Sequence, residues 1–80
     1  MTAPEKLKKW REKQELSQAA AASLIKVTAP TWCDWEAGNK SPTVDRAEDL
    51  EKLTKKAVTV SMWAEFTRER RSERKNKGAA

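Results

Sequence analysis

The stretch LSQAAAASLIKVTAPTWCDWEAGNKSP, residues 16–42, decides the fold. Ser17 is a residue whose hydroxyl can accept from the free backbone N–H groups that open a helix, and Ala19 to Ala22 behind it favour helix strongly. Leu24 and Ile25 close that helix, which the pattern runs from Ser17 to Ile25, and Lys26-Val27-Thr28 breaks it. Thr28 can cap a second helix, Pro30 suits its first turn, and Trp32 and Trp35 stand three residues apart on one face. Gly38 ends it, and Gly38-Asn39-Lys40-Ser41-Pro42 reads as a loop from its turn residues.

Outward from this core unit, the spacing predicts a helix before it and two after it. The first runs from Pro4 to Gln14, with Pro4 in the first turn, Glu5 complementing the N-terminus, and Leu7 and Trp10 on one face. Thr43 caps a fourth, in which Val44, Ala47, Leu50 and Leu53 recur every three residues until Lys55 and Lys56. Residues 57–60 alternate like a short extended segment, and Ser61 can then cap a last helix carrying Met62, Trp63 and Phe66. Beyond Phe66 no apolar face remains, so any continuing helix there rests on propensity and i,i+4 charge pairs alone. The expected architecture is all-α: a small five-helix bundle over residues 1–66 with a basic extension over 67–80.

Charge supports the same division. Of the net +5, residues 1–66 carry eleven Lys/Arg against ten Asp/Glu, and residues 67–80 carry six against two. A basic extension suits a polyanion such as nucleic acid, and it equally suits plain solvation. Arg68, Arg70, Arg71, Arg74, Lys75 and Lys77 therefore have two readings, an arm along a phosphate backbone or a solubilising tail. Cys33 is the single cysteine and there is no histidine, which argues against a disulfide within the chain and against zinc. No stretch reads as a membrane span or, at the polar start from Met1 to Lys9, as an export signal; a cytoplasmic protein is expected. With two glycines, no histidine and no nucleophile beside a base, the sequence points away from an enzyme and from any cofactor.

The ordered set Leu16-Ser17-Gln18, Ala22, Ile25, Val27, Trp32, Trp35-Glu36, Gly38 and Pro42 resembles the helix-turn-helix of the phage repressor and Cro family, more loosely from Leu7 to Leu53. The resemblance implies a lambda-repressor-like bundle whose third helix enters the major groove of duplex DNA. It places Ser17, Gln18, Lys26, Asn39 and Lys40 near phosphates, with Thr28 at the helix cap, and Ala29, Pro30, Thr31, Cys33 and Asp34 facing base edges. It also implies an ion pair between Arg11 and Glu36 tying the first helix to the third. Many relatives carry glycine where this chain has Lys26, so a left-handed backbone there would be strained. None of the base-facing residues is a long bidentate reader; Thr31 and Ala29 suit thymine methyls, and Asp34 suits a cytosine amino group.

Functionally, this implies a sequence-specific duplex-DNA regulator: a homodimeric, Cro-like repressor on a palindromic operator, from a phage or mobile element. Dimerisation is expected because one short helix contacts few bases, with an interface around Trp63 and Phe66. The alternative is an antitoxin or partner-binding regulator using the same scaffold. Trp32 and Trp35 are weighed between core and stacking platform, Trp10 and Trp63 between core or dimer interface and ligand contact, and Cys33 between a tolerated surface residue and a redox switch.

Overall fold

In the computed structural model the described residues are 2–79, with side chains described for residues 2–70. Five helices follow one another: α1 (Ala3–Lys13), α2 (Gln18–Leu24), α3 (Ala29–Ala37), α4 (Val44–Leu53) and α5 (Val60–Ala79). Every regular element among the described residues is a helix, as the pattern requires.

The starts are set by side-chain caps. Ser17 Oγ accepts from the backbone N–H of Ala20 at 3.1 Å, and Thr28 and Thr43 Oγ1 take the same role for α3 and α4. Each satisfies a donor that the helix leaves free. Gly38 ends α3 with φ 77°, a left-handed conformation that its missing Cβ permits. A Cβ added there would lie 3.2 Å from Phe66 Cζ, so the glycine also lets α5 approach closely.

The core gathers one face of every helix: Leu7 from α1, Ala21 and Ala22 from α2, Trp32 and Trp35 from α3, Ala47 and Leu50 from α4, and Trp63 from α5. Ala21 and Ala22 are almost fully buried where α2 meets α3; the small side chain lets the two axes close. Trp32 and Trp35 pack with ring centroids 6.0 Å apart, and Trp63 meets Phe66 edge-on at 6.1 Å. Trp32, Trp35 and Trp63 thus belong to the core of the single chain. Arg46 ties α4 to the end of α2 by donating from Nη1 to the Ile25 carbonyl at 3.1 Å.

The passage from α4 to α5 departs from expectation in two ways. Residues 57 and 58 form a bend, not an extended segment, and Val60 already begins α5. The alternation of Ala57 to Val60 has another cause: Val58 is fully buried in the core, reached through a tight turn in which Lys55 and Lys56 take φ 54° and 68°. Buried Thr54 holds that turn, donating to the Leu50 carbonyl at 2.7 Å and accepting from Val58 N at 3.2 Å. Thr59, not Ser61, then caps α5: its Oγ1 accepts from Met62 N at 3.2 Å. The earlier hydroxyl wins because the helix itself begins at Val60, two residues sooner than a cap at Ser61 would allow. The side chains of Arg71, Arg74, Lys75 and Lys77 lie outside the described residues.

Candidate nucleic-acid interface

α2 and α3 are joined by Ile25 to Thr28, and the turn depends on Lys26 adopting φ 58°. Val27 N then reaches back to the Ala22 carbonyl at 3.0 Å, closing the end of α2. Lys26 thus takes the left-handed conformation in which a residue with a Cβ is strained, at a cost of about 1 kcal/mol.

The angle of α3 is held by Glu36. Arg11 donates to it twice, from Nε to Oε2 at 2.6 Å and from Nη2 to Oε1 at 3.1 Å. Gln18 Nε2 donates to Oε1 at 3.1 Å, and Trp32 Nε1 donates to Oε2. Arg11 in turn donates from Nη1 to the Leu16 carbonyl at 2.9 Å, so one guanidinium fastens α1, the approach to α2, and α3 together. The Glu36 side chain is only 5% exposed and that of Arg11 14%. Burial pushes the Glu36 carboxyl up, but hydrogen bonds from Arg11, Trp32 and Gln18 outweigh it and hold the group below its ordinary 4.5. The same contact with Glu36, working against desolvation, raises the pKa of Arg11. The pair expected between Arg11 and Glu36 is present, and it is one half of a four-donor cage.

With Trp32 and Trp35 turned inward, α3 presents the opposite side to solvent. Pro30 and Cys33 are exposed, and Ala29, Thr31 and Asp34 are partly so. Ala37 is exposed as well. It stands one helical turn after Cys33, and that i,i+4 spacing is the signal that adds it to the face. Thr28 and Thr31 hydroxyls lie 2.8 Å apart and engage each other. Asp34 Oδ2 lies 3.7 Å from Lys40 Nζ, a solvent-exposed pair that contributes little to stability but offsets the charge of the carboxylate. Asn39 and Lys40 follow directly, exposed, with Asn39 N donating to the Asp34 carbonyl at 2.9 Å.

The residues singled out from sequence therefore fall into three positions. Thr28, Ala29, Pro30, Thr31, Cys33 and Asp34 lie along α3 and its cap, Asn39 and Lys40 at its far end, and Ser17 and Lys26 at the two ends of α2. Gln18 differs from the rest. One amide hydrogen is given to Glu36, which leaves one N–H for a further acceptor. Trp32 and Trp35, at 0% and 3% exposure, offer no stacking platform. Sequence reasoning missed the Gln18 and Trp32 bonds to Glu36; the i,i+4 spacing of Trp32 and Glu36 carried a signal for one, and only the crossing of α2 over α3 creates the other. Among the described residues no group of three or more His, Cys, Asp or Glu is placed to hold a metal ion, and no helix is long and apolar enough to cross a membrane.

A family model described as a helix-turn-helix domain matches residues 5–56, well over half of the chain. The match covers α1 from Glu5 onward, all of α2 to α4, and the whole face just described. No curated protein and no solved structure matches the chain.

Proposed function

The chain belongs to the helix-turn-helix domain family, and from that premise we propose that it is a homodimeric, Cro-like repressor that reads a palindromic DNA operator through α3. The family points to a DNA-binding regulator. The observation that carries the finer reading is the cage around Glu36: two side chains from outside α3 converge on it and fix the angle at which the solvent face of that helix projects. A projecting helix held rigidly in this way fits the major groove, which admits one α-helix.

In this reading Ala29, Pro30, Thr31, Cys33, Asp34 and Ala37 face base edges. Ser17, Lys26, Asn39, Lys40 and the free N–H of Gln18 lie near phosphates, with Thr28 capping α3. Two copies are needed because one such helix discriminates too few base pairs among genomic competitors. Trp63 is buried within its own chain, so the pairing surface is formed by what remains open around α4 and α5, including exposed Val44. A phage or mobile-element setting follows from the resemblance of residues 16–42 to the phage repressor and Cro family.

Selection of duplexes from a random library, at low and near-physiological salt, tests this. A palindromic consensus that persists at the higher salt supports it. Recovery at low salt alone, without a consensus, overturns it, because phosphate neutralisation by scattered lysines and arginines gives that result.

A second reading, a partner-binding regulator such as an antitoxin, is favoured by the outer chemistry of α3. That face has no bidentate reader, and its carboxylate is already paired with Lys40. Substituting Asn39 and Lys40 separates the two readings: duplex binding falls if α3 reads DNA, and partner binding survives if it does not. These two positions serve better than Gln18, whose loss would also open the Glu36 cage.

A further inference from the structure

α1 has a second face, away from both the core and Glu36. Leu7 and Arg11, four residues apart, point to the core and to Glu36; Lys6, Lys9 and Lys13, spaced by three and four, lie on the opposite side of the same helix. Together with Trp10, Glu12 and Ala57 they line a surface hollow of about 660 Å³. Trp10 packs against the core and is only partly buried, whereas Trp32, Trp35 and Trp63 are at most 3% exposed. Among the described residues, none of the three lysines lies within ion-pair distance of a carboxylate. Three unpaired cations and one acid therefore rim a floor made by an indole and a methyl group.

We propose that this hollow docks an acidic protein segment carrying one apolar or aromatic anchor, on the side of the domain turned away from α3. The lysines supply charge complementarity, and the half-open indole supplies the pocket for the anchor, with a cation–π contact available at its rim. A duplex read by α3 contacts the opposite side of the domain, and phosphates alone would need no apolar floor. The occupant is accordingly a protein segment, and the surface allows a regulator to hold DNA and a partner at once.

The test uses the full chain and a synthetic peptide of alternating Glu and Gly with one central Phe. Titration calorimetry should show binding at low salt. Replacing the Phe by Ser should weaken it about tenfold, as expected for loss of a buried anchor. The K6E/K9E/K13E variant should weaken it by about tenfold or more, since it turns three complementary charges into repelling ones. K6Q/K9Q/K13Q serves as a gentler second variant, and unchanged helical circular dichroism confirms that each folds. In nitrogen–proton spectra the indole N–H of Trp10 should shift on binding, with those of Trp32, Trp35 and Trp63 still. Absence of binding at millimolar peptide, or binding indifferent to both triple variants, overturns the proposal. So does tighter binding of a single-stranded oligonucleotide lost in the same variants, which would make the hollow a nucleic-acid site.

Discussion

Replacing Glu36 by glutamine keeps the shape of the side chain and removes the charge on which the cage depends. The carboxylate accepts from Arg11 Nε and Nη2, Gln18 Nε2 and Trp32 Nε1. A glutamine offers one oxygen and turns an NH₂ group toward donors, so at least one of these partners is left unmatched. The Arg11 guanidinium, with its side chain 14% exposed, loses its counter-charge while staying fixed to the Leu16 carbonyl. Breaking a buried ion pair on one side costs about 3–5 kcal/mol. The residual exposure of Arg11 and its bond to Leu16 place E36Q near the lower end, about 3 kcal/mol. For a domain of this size that lowers Tm by roughly 12–24 °C. Thermal and urea unfolding followed by helical circular dichroism measure it. A cycle with Arg11→Met separates the pair from its surroundings: the double variant should lose clearly less than the sum of the two singles. A loss below about 1 kcal/mol in E36Q, or strict additivity in the cycle, would refute the reasoning that Glu36 fixes α3.

The lowered pKa of Glu36 makes its contribution complete above the ordinary 4.5 and lost as pH falls through the lower folded value. Urea midpoints should therefore drop in acid for the native chain, and the gap to E36Q should close there; a gap that stays constant on acidification contradicts this. Lys26→Gly relieves the left-handed strain at φ 58° against the greater freedom of unfolded glycine, for a net gain of up to about 1 kcal/mol in urea denaturation; a clear loss would contradict it. Gly38→Ala combines φ 77° with a 3.2 Å approach to Phe66 Cζ and should cost about 1–2 kcal/mol, read as a fall in Tm; an unchanged Tm would show that α5 moves aside freely.

Much of the fold is local and was therefore legible. Ser17, Thr28 and Thr43 cap the helices that their hydroxyls announced, Pro30 stands in the first turn of α3, and Gly38 ends it. These features depend on residues within a turn of one another, and so on the sequence alone. Less legible was whatever distant segments decide together. The alternation of Ala57 to Val60 suggested extension, but Val58 turns inward to fill the core beneath the end of α4, with Thr54 tying off the bend. Trp63 could be weighed between core and interface until α5 was seen to lay it against Phe66 and α4. At the candidate site the resemblance named Arg11 and Glu36, whereas the convergence of Gln18 and Trp32 on the same carboxylate exists only once α2 crosses α3. The outer residues of α3 were readable, but their chemistry is small, apolar and acidic, and so does not name a base sequence.

Cys33 allows the most direct test, since it is the single cysteine and lies exposed on the outer face of α3. Duplexes carrying a base-tethered mixed disulfide in the major groove can trap it by exchange: the Cys33 thiolate attacks the tether sulfur, forms the protein–DNA disulfide and releases the small capping thiol. If α3 reads DNA, Cys33 should cross-link to tethers within the selected consensus and not to a shuffled duplex, with two reactive positions about one helical turn apart if the protein binds as a dimer. The C33S/K9C variant, whose thiol sits on the far side of α1, should give no cross-link. Equal trapping by the two thiols, or none by Cys33 on a duplex the protein demonstrably binds, would contradict the account.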